Sequence, residues 1–203
     1  KVLPKMQDLR RQKPDWFVEK EISLDKAVNH EYVDKVLSVS HRWEKPGDPD
    51  IKGVQFAAIK NHLNSPQGKK FELVWMDYYC APQKERNAEE ERIFEQTLRF
   101  ISHLFLGSSI LILCDRTYTT RFWTLFEAWL SMQTTTANGL KPAAKDKRRC
   151  SIVPIHLASD LTAKELESMM GNKTVDEAYD ILDSPDINVT NQKDKGQQLT
   201  KLL

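Results

Sequence analysis

Short apolar runs alternate with amphipathic segments along this chain of 203 residues. Four runs rich in β-branched and aromatic residues have the length of buried strands: residues 33–40, 71–76, 110–114 and 150–157. Three segments between them repeat apolar residues at helical spacing: residues 51–63, 92–106 and 121–133. This alternation predicts an α/β domain with a doubly wound parallel sheet in three layers, α/β/α. Pro154 in the last run predicts an edge or strand-end position, because proline cannot donate to a sheet ladder.

The segments on either side of this pattern are less regular. Residues 1–32 are mixed and charged, whereas residues 162–170 and 175–182 predict short helices near the other end. We therefore expect one α/β domain at residues 33–160. A lead-in segment at residues 1–32 packs on it, and residues 161–203 form a helical extension.

Charge is nearly balanced, with 30 basic and 29 acidic residues. A local basic cluster is interpreted as a solvated loop: Lys141, Lys145, Lys147, Arg148 and Arg149. A nucleic-acid surface needs a broader basic face with interleaved aromatic residues, so we expect no nucleic-acid partner.

The three cysteines, Cys80, Cys114 and Cys150, are odd in number and far apart, which argues against a disulfide framework and for a reducing compartment. No close Cys/His spacing indicates zinc, and we expect no metal site. The longest apolar stretch is interrupted, and the first residues lack the apolar core of a signal peptide. We expect a soluble cytoplasmic protein without membrane contact.

Unusual polar and aromatic residues follow three of the predicted strands. They are His41, Arg42, Trp43 and Glu44 after the first; Asp77, Tyr78, Tyr79 and Cys80 after the second; and Asp115, Tyr118, Trp123 and Glu127 after the third. Ligands of doubly wound sheets bind beyond the carboxyl ends of the strands. We therefore expect these residues to meet at one site.

Glu127 is the most distinctive of them. It shares a polar helix stripe with Thr120, Thr124 and Ser131, and Trp123 stands one turn before it. A helix glutamate is more often solvated or paired with a basic residue, and a tryptophan more often belongs to the core. This pattern alone leaves both readings open.

The same clusters resemble a known family. VSHRWE is similar to the first motif of fungal heterokaryon-incompatibility (HET) domains, WMDYYCAPQ to the second and RFWTLFEAWLS to the third. The matching residues are Ser40 and Trp43, then Trp75, Asp77, Cys80 and Gln83, then Arg121, Trp123 and Glu127. The likeness covers residues 36–131, about half the chain. Phe126 departs from it, since many HET domains have Gln there.

The Toll/interleukin-1 receptor (TIR) domain is similar too. VLSVSHRWE compares with its first strand and loop, Trp123 and Glu127 with its Trp and Glu four residues apart, and SIVPIHL with a late strand. Trp43 stands where the plant TIR loop has glycine. The resemblance implies a TIR-like, flavodoxin-like sheet.

Enzymatic TIR domains cleave the bond between nicotinamide and ribose in NAD, and the Glu that matches Glu127 is their catalytic residue. One carboxylate suffices, since nicotinamide is cationic in NAD and leaves neutral. No G-x-G-x-x-G follows the first strand, so NAD would be a substrate and no cofactor is expected. Substrate-binding residues would be His41, Arg42, Trp43, Asp77, Tyr78, Asp115, Tyr118 and Trp123. The family further implies self-association, or association with other TIR- or HET-like domains, in immune or cell-death signalling.

Three other classes stay open. A non-catalytic interaction module, as in adaptor TIR domains, would leave Glu127 merely paired. A thiol enzyme would use Cys80 with His41 as base and Asp77 to orient it. A nuclease has the least support, because no paired acidic metal site is present at credible spacing.

Overall fold

A computed structural model describes residues 4–202 and has a four-stranded parallel sheet at its centre. The strands of this sheet are β1 (Val36–His41), β2 (Leu73–Trp75), β3 (Ser109–Cys114) and β6 (Cys150–Pro154), in the order β2-β1-β3-β6. A separate antiparallel hairpin consists of β4 (Gln133–Thr136) and β5 (Gly139–Pro142). The predicted α/β class and parallel sheet are confirmed, and β6, which contains Pro154, is an edge strand.

Helices cover both faces of the sheet. They are α1 (Met6–Gln12), α2 (Leu24–Val28), α3 (Val54–Asn64), α4 (Asp77–Cys80), α5 (Ala88–Gly107), α6 (Phe122–Ser131), α7 (Asp160–Met170), α8 (Val175–Asp183) and α9 (Gln192–Thr200). Helix α3 connects β1 to β2 on one face of the sheet. On the other face, α5 connects β2 to β3 and α6 lies between β3 and β6, and these connections run in the opposite direction along the sheet. All three crossovers thus have the same hand, as parallel connections require.

Strand β3 shows why the sheet has two apolar faces. Ile110, Ile112 and Cys114 pack in one cluster with α5 and α6, while Leu111 and Leu113 pack in another with α3. All five are fully buried or nearly so. A strand covered on both faces becomes a continuous apolar run, which is the pattern that predicted it.

Among the helix boundaries that differ from the predicted ones, two have clear local reasons. Helix α5 begins four residues before the expected 92, because Asn87 caps it and Glu90 completes a capping box. Helix α6 ends at Ser131, and the predicted extension to residue 133 is replaced by the start of β4. The β-branched run Thr134–Thr136 favours a strand there.

The basic cluster after the hairpin is only partly solvated. Arg149 is buried and donates hydrogen bonds to four carbonyl oxygens near the ends of α5 and α6, those of Phe105, Ser108, Leu130 and Gln133. Burial lowers the pKa of Arg149 to about 10, so it stays charged at neutral pH. The interpretation as a solvated loop is therefore wrong for Arg149, which caps two helices.

The flanking segments lie against the central domain. In the lead-in, the side-chain amide of Gln7 donates to the carbonyl oxygen of Gln83 and accepts from the backbone N–H of Gln83, and α1 contacts α4. At the other end, Gln198 on α9 donates to the carbonyl oxygen of Leu98 on α5. Among residues 4–202, no helix combines the length and apolar character that crossing a bilayer demands.

Candidate functional site

The three predicted clusters meet where β1 and β3 lie side by side. From β1 the chain turns toward β2, and from β3 it turns toward β6, so the connections diverge between these two strands. Strand β1 ends at His41, β3 ends at Cys114, and α4 begins with Asp77 just after β2. This is the crevice where doubly wound sheets bind ligands.

Glu127 reaches this crevice from α6. Its side-chain oxygen Oε2 accepts a hydrogen bond from Ser40 Oγ at 2.6 Å. Successive side chains of β1 point to opposite faces of the sheet, so Ser40 faces α6 while Val39 and His41 face α3. Only 9% of Glu127 is exposed. The second oxygen, Oε1, makes no hydrogen bond with residues 4–202 and keeps some contact with solvent.

The surroundings of Glu127 favour its neutral form. Burial raises the pKa of Glu127 well above its ordinary value, and the negative charge of Asp77 raises it further, against the opposing effect of the Ser40 hydrogen bond. Within the described part of the chain, no basic side chain forms an ion pair with it. Glu127 is thus a buried carboxyl without a cationic partner.

Tyr118 lies beneath Ser40 and is fully buried. Its hydroxyl oxygen is 2.5 Å from Ser40 Oγ, and its backbone oxygen accepts a hydrogen bond from Thr124 at the start of α6. In this conformation Tyr118, expected as a substrate contact, reaches Glu127 only through Ser40.

Asp77 has the opposite environment. Its carboxylate accepts hydrogen bonds from His41 Nε2 at 2.7 Å, Trp43 Nε1 at 2.8 Å and the backbone N–H of Tyr78 at 2.6 Å. Burial acts to raise the pKa of Asp77, but the charge of His41 and these three donors outweigh it and the pKa is lowered. Asp77 is therefore an anion at neutral pH.

Each ring nitrogen of His41 faces an oxygen acceptor. Its Nδ1 faces Gln55 Oε1 at 2.7 Å, and its Nε2 faces the Asp77 carboxylate. The amide of Gln55 cannot be reversed, because its Nε2 donates to the carbonyl oxygens of Arg42 and Pro49. Both ring nitrogens are then placed to donate, which is the arrangement of an imidazolium paired with a carboxylate.

Arg42 and Asp115 join the loops after β1 and β3. Arg42 Nε donates to Asp115 Oδ2 at 2.6 Å, and Asp115 Oδ1 accepts from the backbone N–H and hydroxyl of Thr117. Asp115 is thereby fully engaged in holding the loop. About one fifth of the Arg42 side chain remains exposed.

The aromatic residues form two separate groups. Trp43 packs edge-on against Tyr78, at 5.4 Å between ring centroids, beside Asp77. Trp123 packs against Phe122 and Phe126 on α6, and its ring is half-buried. The first group belongs to the Asp77 side of the crevice and the second to the helix that carries Glu127.

The thiol hypothesis has no support in this geometry. Burial raises the pKa of Cys80 to about 11, so its thiol is protonated at neutral pH, and Sγ faces the carbonyl oxygen of Val74 at 3.7 Å. Both nitrogens of His41 are engaged by Gln55 and Asp77. No thiolate–imidazole pair is present at this site.

Access to Glu127 is narrow in this conformation, because only a small part of its side chain is exposed. Two surface depressions of about 450 and 490 Å³ lie elsewhere, beside α1 and beside the β4–β5 hairpin. Among residues 4–202 no group of three or more His, Cys, Asp or Glu side chains is placed to hold a metal ion.

Two residues of the site were not expected as its members from the sequence. Ser40 donates a hydrogen bond to Glu127, and Gln55 Oε1 faces Nδ1 of His41. Ser40 had a signal, since it matches the first HET motif, whereas Gln55 is one polar residue on an ordinary amphipathic helix. Comparison of the chain with family models, with curated proteins and with solved structures found no match in any of the three.

Proposed function

We propose that this domain is an NAD glycohydrolase, which cleaves the bond between nicotinamide and ribose with Glu127 as its catalytic carboxylate. The observation that supports this most is the state of Glu127: a buried carboxyl, held by Ser40 at the diverging strand ends, with no cationic partner in the described chain. A site of this kind favours a ligand that brings a positive charge.

The nicotinamide ring of NAD brings that charge. A cation beside Glu127 stabilises the ionised form and offsets the burial that otherwise favours the neutral one. As the glycosidic bond breaks, its electron pair goes to the pyridinium nitrogen, and the positive charge moves to the ribose carbon and ring oxygen. The Glu127 carboxylate then stabilises this oxocarbenium-like state. Water adds to the ribose carbon and loses a proton, giving ADP-ribose and neutral nicotinamide.

The other side of the crevice offers groups for the rest of the dinucleotide. Arg42 presents a partly exposed guanidinium, a donor suited to the pyrophosphate. Trp43 and Tyr78 present half-buried aromatic faces for a base or ribose. The His41–Asp77 pair holds Trp43 in place through the Trp43 Nε1 hydrogen bond.

Access to the largely buried Glu127 is the natural step to regulate. We propose that self-association, or association with other TIR- or HET-like domains, promotes this access, in cytoplasmic immune or cell-death signalling. Leu157 and Leu161, near the carboxyl end of β6, are 74% and 64% exposed and offer an apolar contact at this edge.

The non-catalytic interaction module is the second candidate. The small exposure of Glu127 and the exposed Leu157 and Leu161 favour it, because a buried neutral carboxyl can serve as a structural hydrogen-bond acceptor. In that case the protein self-associates through this edge but releases no nicotinamide.

Nicotinamide release from NAD separates the two candidates. Purified protein is assayed over a concentration series, with and without a crowding agent, beside Glu127→Gln. Glu95→Gln is the matched control, because Glu95 is an exposed glutamate on another helix, α5. If the domain is an NAD glycohydrolase, we expect nicotinamide release per molecule to rise with protein concentration. We expect this release to depend on Glu127 but not on Glu95. Self-association without release assigns the domain to the interaction class.

A further inference from the structure

A chain of hydroxyl groups runs from the core to Glu127. The Tyr118 hydroxyl lies 2.5 Å from Ser40 Oγ, which lies 2.6 Å from Glu127 Oε2. Tyr118 and Ser40 are both fully buried, so water does not compete for these bonds. The proposed chemistry of Glu127 does not by itself require either hydroxyl.

The chain has a preferred direction. An ionised Glu127 can only accept, so Ser40 gives its single hydrogen to Glu127 and must accept from Tyr118. In the reverse direction, a protonated Oε2 of Glu127 would donate to Ser40, and Ser40 would donate to Tyr118. The hydroxyl hydrogen of Tyr118 would then need another acceptor. The Tyr118 hydroxyl has no other hydrogen-bond partner within residues 4–202. Reversal would leave a buried donor unsatisfied, which is unfavourable.

We propose that Ser40 and Tyr118 are positioning residues of this site, which hold Oε2 of Glu127 as an acceptor and leave Oε1 as the oxygen that meets the ligand. The assignment rests on the proposed role of Glu127. It places Tyr118 in the support of the catalytic carboxyl, whereas its place in the cluster after the third predicted strand indicates contact with substrate.

The chain also controls the protonation of Glu127. Burial and the charge of Asp77 favour the neutral carboxyl, and the hydrogen bond from Ser40 is the opposing contact. The titratable groups around the chain are Asp77 after β2, with His41 bound to its far side, and Cys114 and Cys150 near Tyr118. Because Ser40 donates to the ionised form, its removal should make Glu127 hold its proton more tightly.

Strand β1 contains a matched control. Ser38 points to the same face two residues earlier, is also fully buried, and bonds to the hydroxyl of Ser108 instead of Glu127. Ser38→Ala and Ser40→Ala therefore remove the same atom from the same strand face. Tyr118→Phe removes only the hydroxyl and keeps the ring that fills the core.

The test is the titration of the Glu127 carboxyl carbon by ¹³C NMR, assigned with Glu127→Gln. We expect Ser40→Ala to raise the midpoint by about one pH unit, Tyr118→Phe to raise it less, and Ser38→Ala to leave it in place. The double variant Ser40→Ala/Tyr118→Phe should match Ser40→Ala, since Tyr118 acts through Ser40. The acidic limb of the pH profile for nicotinamide release should move in the same order.

An unchanged midpoint in both Ser40→Ala and Tyr118→Phe would overturn the assignment, as would an equal shift in Ser38→Ala. If Ser40→Ala does not fold, Tyr118→Phe decides alone. The titration does not depend on turnover, so a wild-type protein that releases no nicotinamide would refute the proposed function while the NMR result still decides whether the chain controls Glu127.

Discussion

Two carboxyl groups stand on the two sides of the end of β1 and have opposite surroundings. Asp77, on the side of α3, accepts three hydrogen bonds and pairs with the His41 imidazolium. Glu127, on the side of α6, accepts one bond from a hydroxyl and has no cation. The pKa of Asp77 is lowered and that of Glu127 is raised. Neighbours, not residue type, lower the pKa of one carboxyl and raise the pKa of the other.

Among the variants of the two carboxyl groups, Glu127→Gln should have the strongest effect on nicotinamide release. Glu127→Gln keeps the size of the side chain but removes the charge, so we expect nicotinamide release to fall about a hundredfold or more. This corresponds to about 3–4 kcal/mol of lost transition-state stabilisation, a usual value for one electrostatic group. Folding should change little, which circular dichroism checks. Equal release by Glu127→Gln and wild type would remove Glu127 from the reaction.

Asp77→Asn should act first on stability. It leaves the nearly inaccessible His41 imidazolium without its anion, and we expect a loss of about 1–2 kcal/mol in the free energy of unfolding. The loss stays below that of a fully buried pair because 40% of the Asp77 side chain is exposed. Urea denaturation measures it. Asp34→Asn, which breaks the exposed pair with Lys70, is the control and should change stability by less than about 0.5 kcal/mol.

The two carboxyl groups should also affect the free energy of unfolding with opposite dependences on pH. The pKa of Glu127 is raised in the folded protein. Its contribution to stability is therefore fully present below its pKa of 4.5 in the unfolded chain, and is lost as the pH rises through its folded pKa. Asp77 has a lowered pKa, so its contribution is present above the unfolded value of 3.8 and is lost as pH falls through the folded pKa. Glu127→Gln should therefore raise Tm relative to wild type more at pH 8 than at pH 4. A Tm difference independent of pH would contradict the raised pKa.

The smallest expected effect is that of Cys80→Ser. Because the Cys80 thiol is protonated and bonds only to a backbone oxygen, nicotinamide release should stay within a few fold of wild type. A loss as large as that of Glu127→Gln would revive the thiol hypothesis.

The sequence predicted the elements whose apolar pattern is strong. Strand β3 is a short continuous apolar run and helix α5 repeats apolar residues at helical spacing, so the order of residues predicts both. The β4–β5 hairpin was missed, because its Gln and Thr residues show little apolar alternation, although Asn138-Gly139 is a turn signal.

The sequence predicted where the candidate site lies but not which hydrogen bonds its side chains make. Parallel strands end at one edge, so three polar clusters after three strands had to lie near one another. Which partner each side chain takes depends on packing. Ser40 and His41 are neighbours in sequence but face α6 and α3, and the role of Gln55 depends on how α3 lies against β1.

We propose that the nicotinamide ring supplies the cation that Glu127 lacks among residues 4–202. Proton release on binding tests it most directly, measured by titration calorimetry in two buffers of different ionisation enthalpy. The ligands are a carbocyclic NAD analogue, whose glycosidic bond resists cleavage, and NADH, whose ring is uncharged. We predict that the cationic analogue binds more tightly and releases protons from wild type, with no such release in Glu127→Gln. Equal affinity for both ligands, with no Glu127-dependent proton release, would contradict the account.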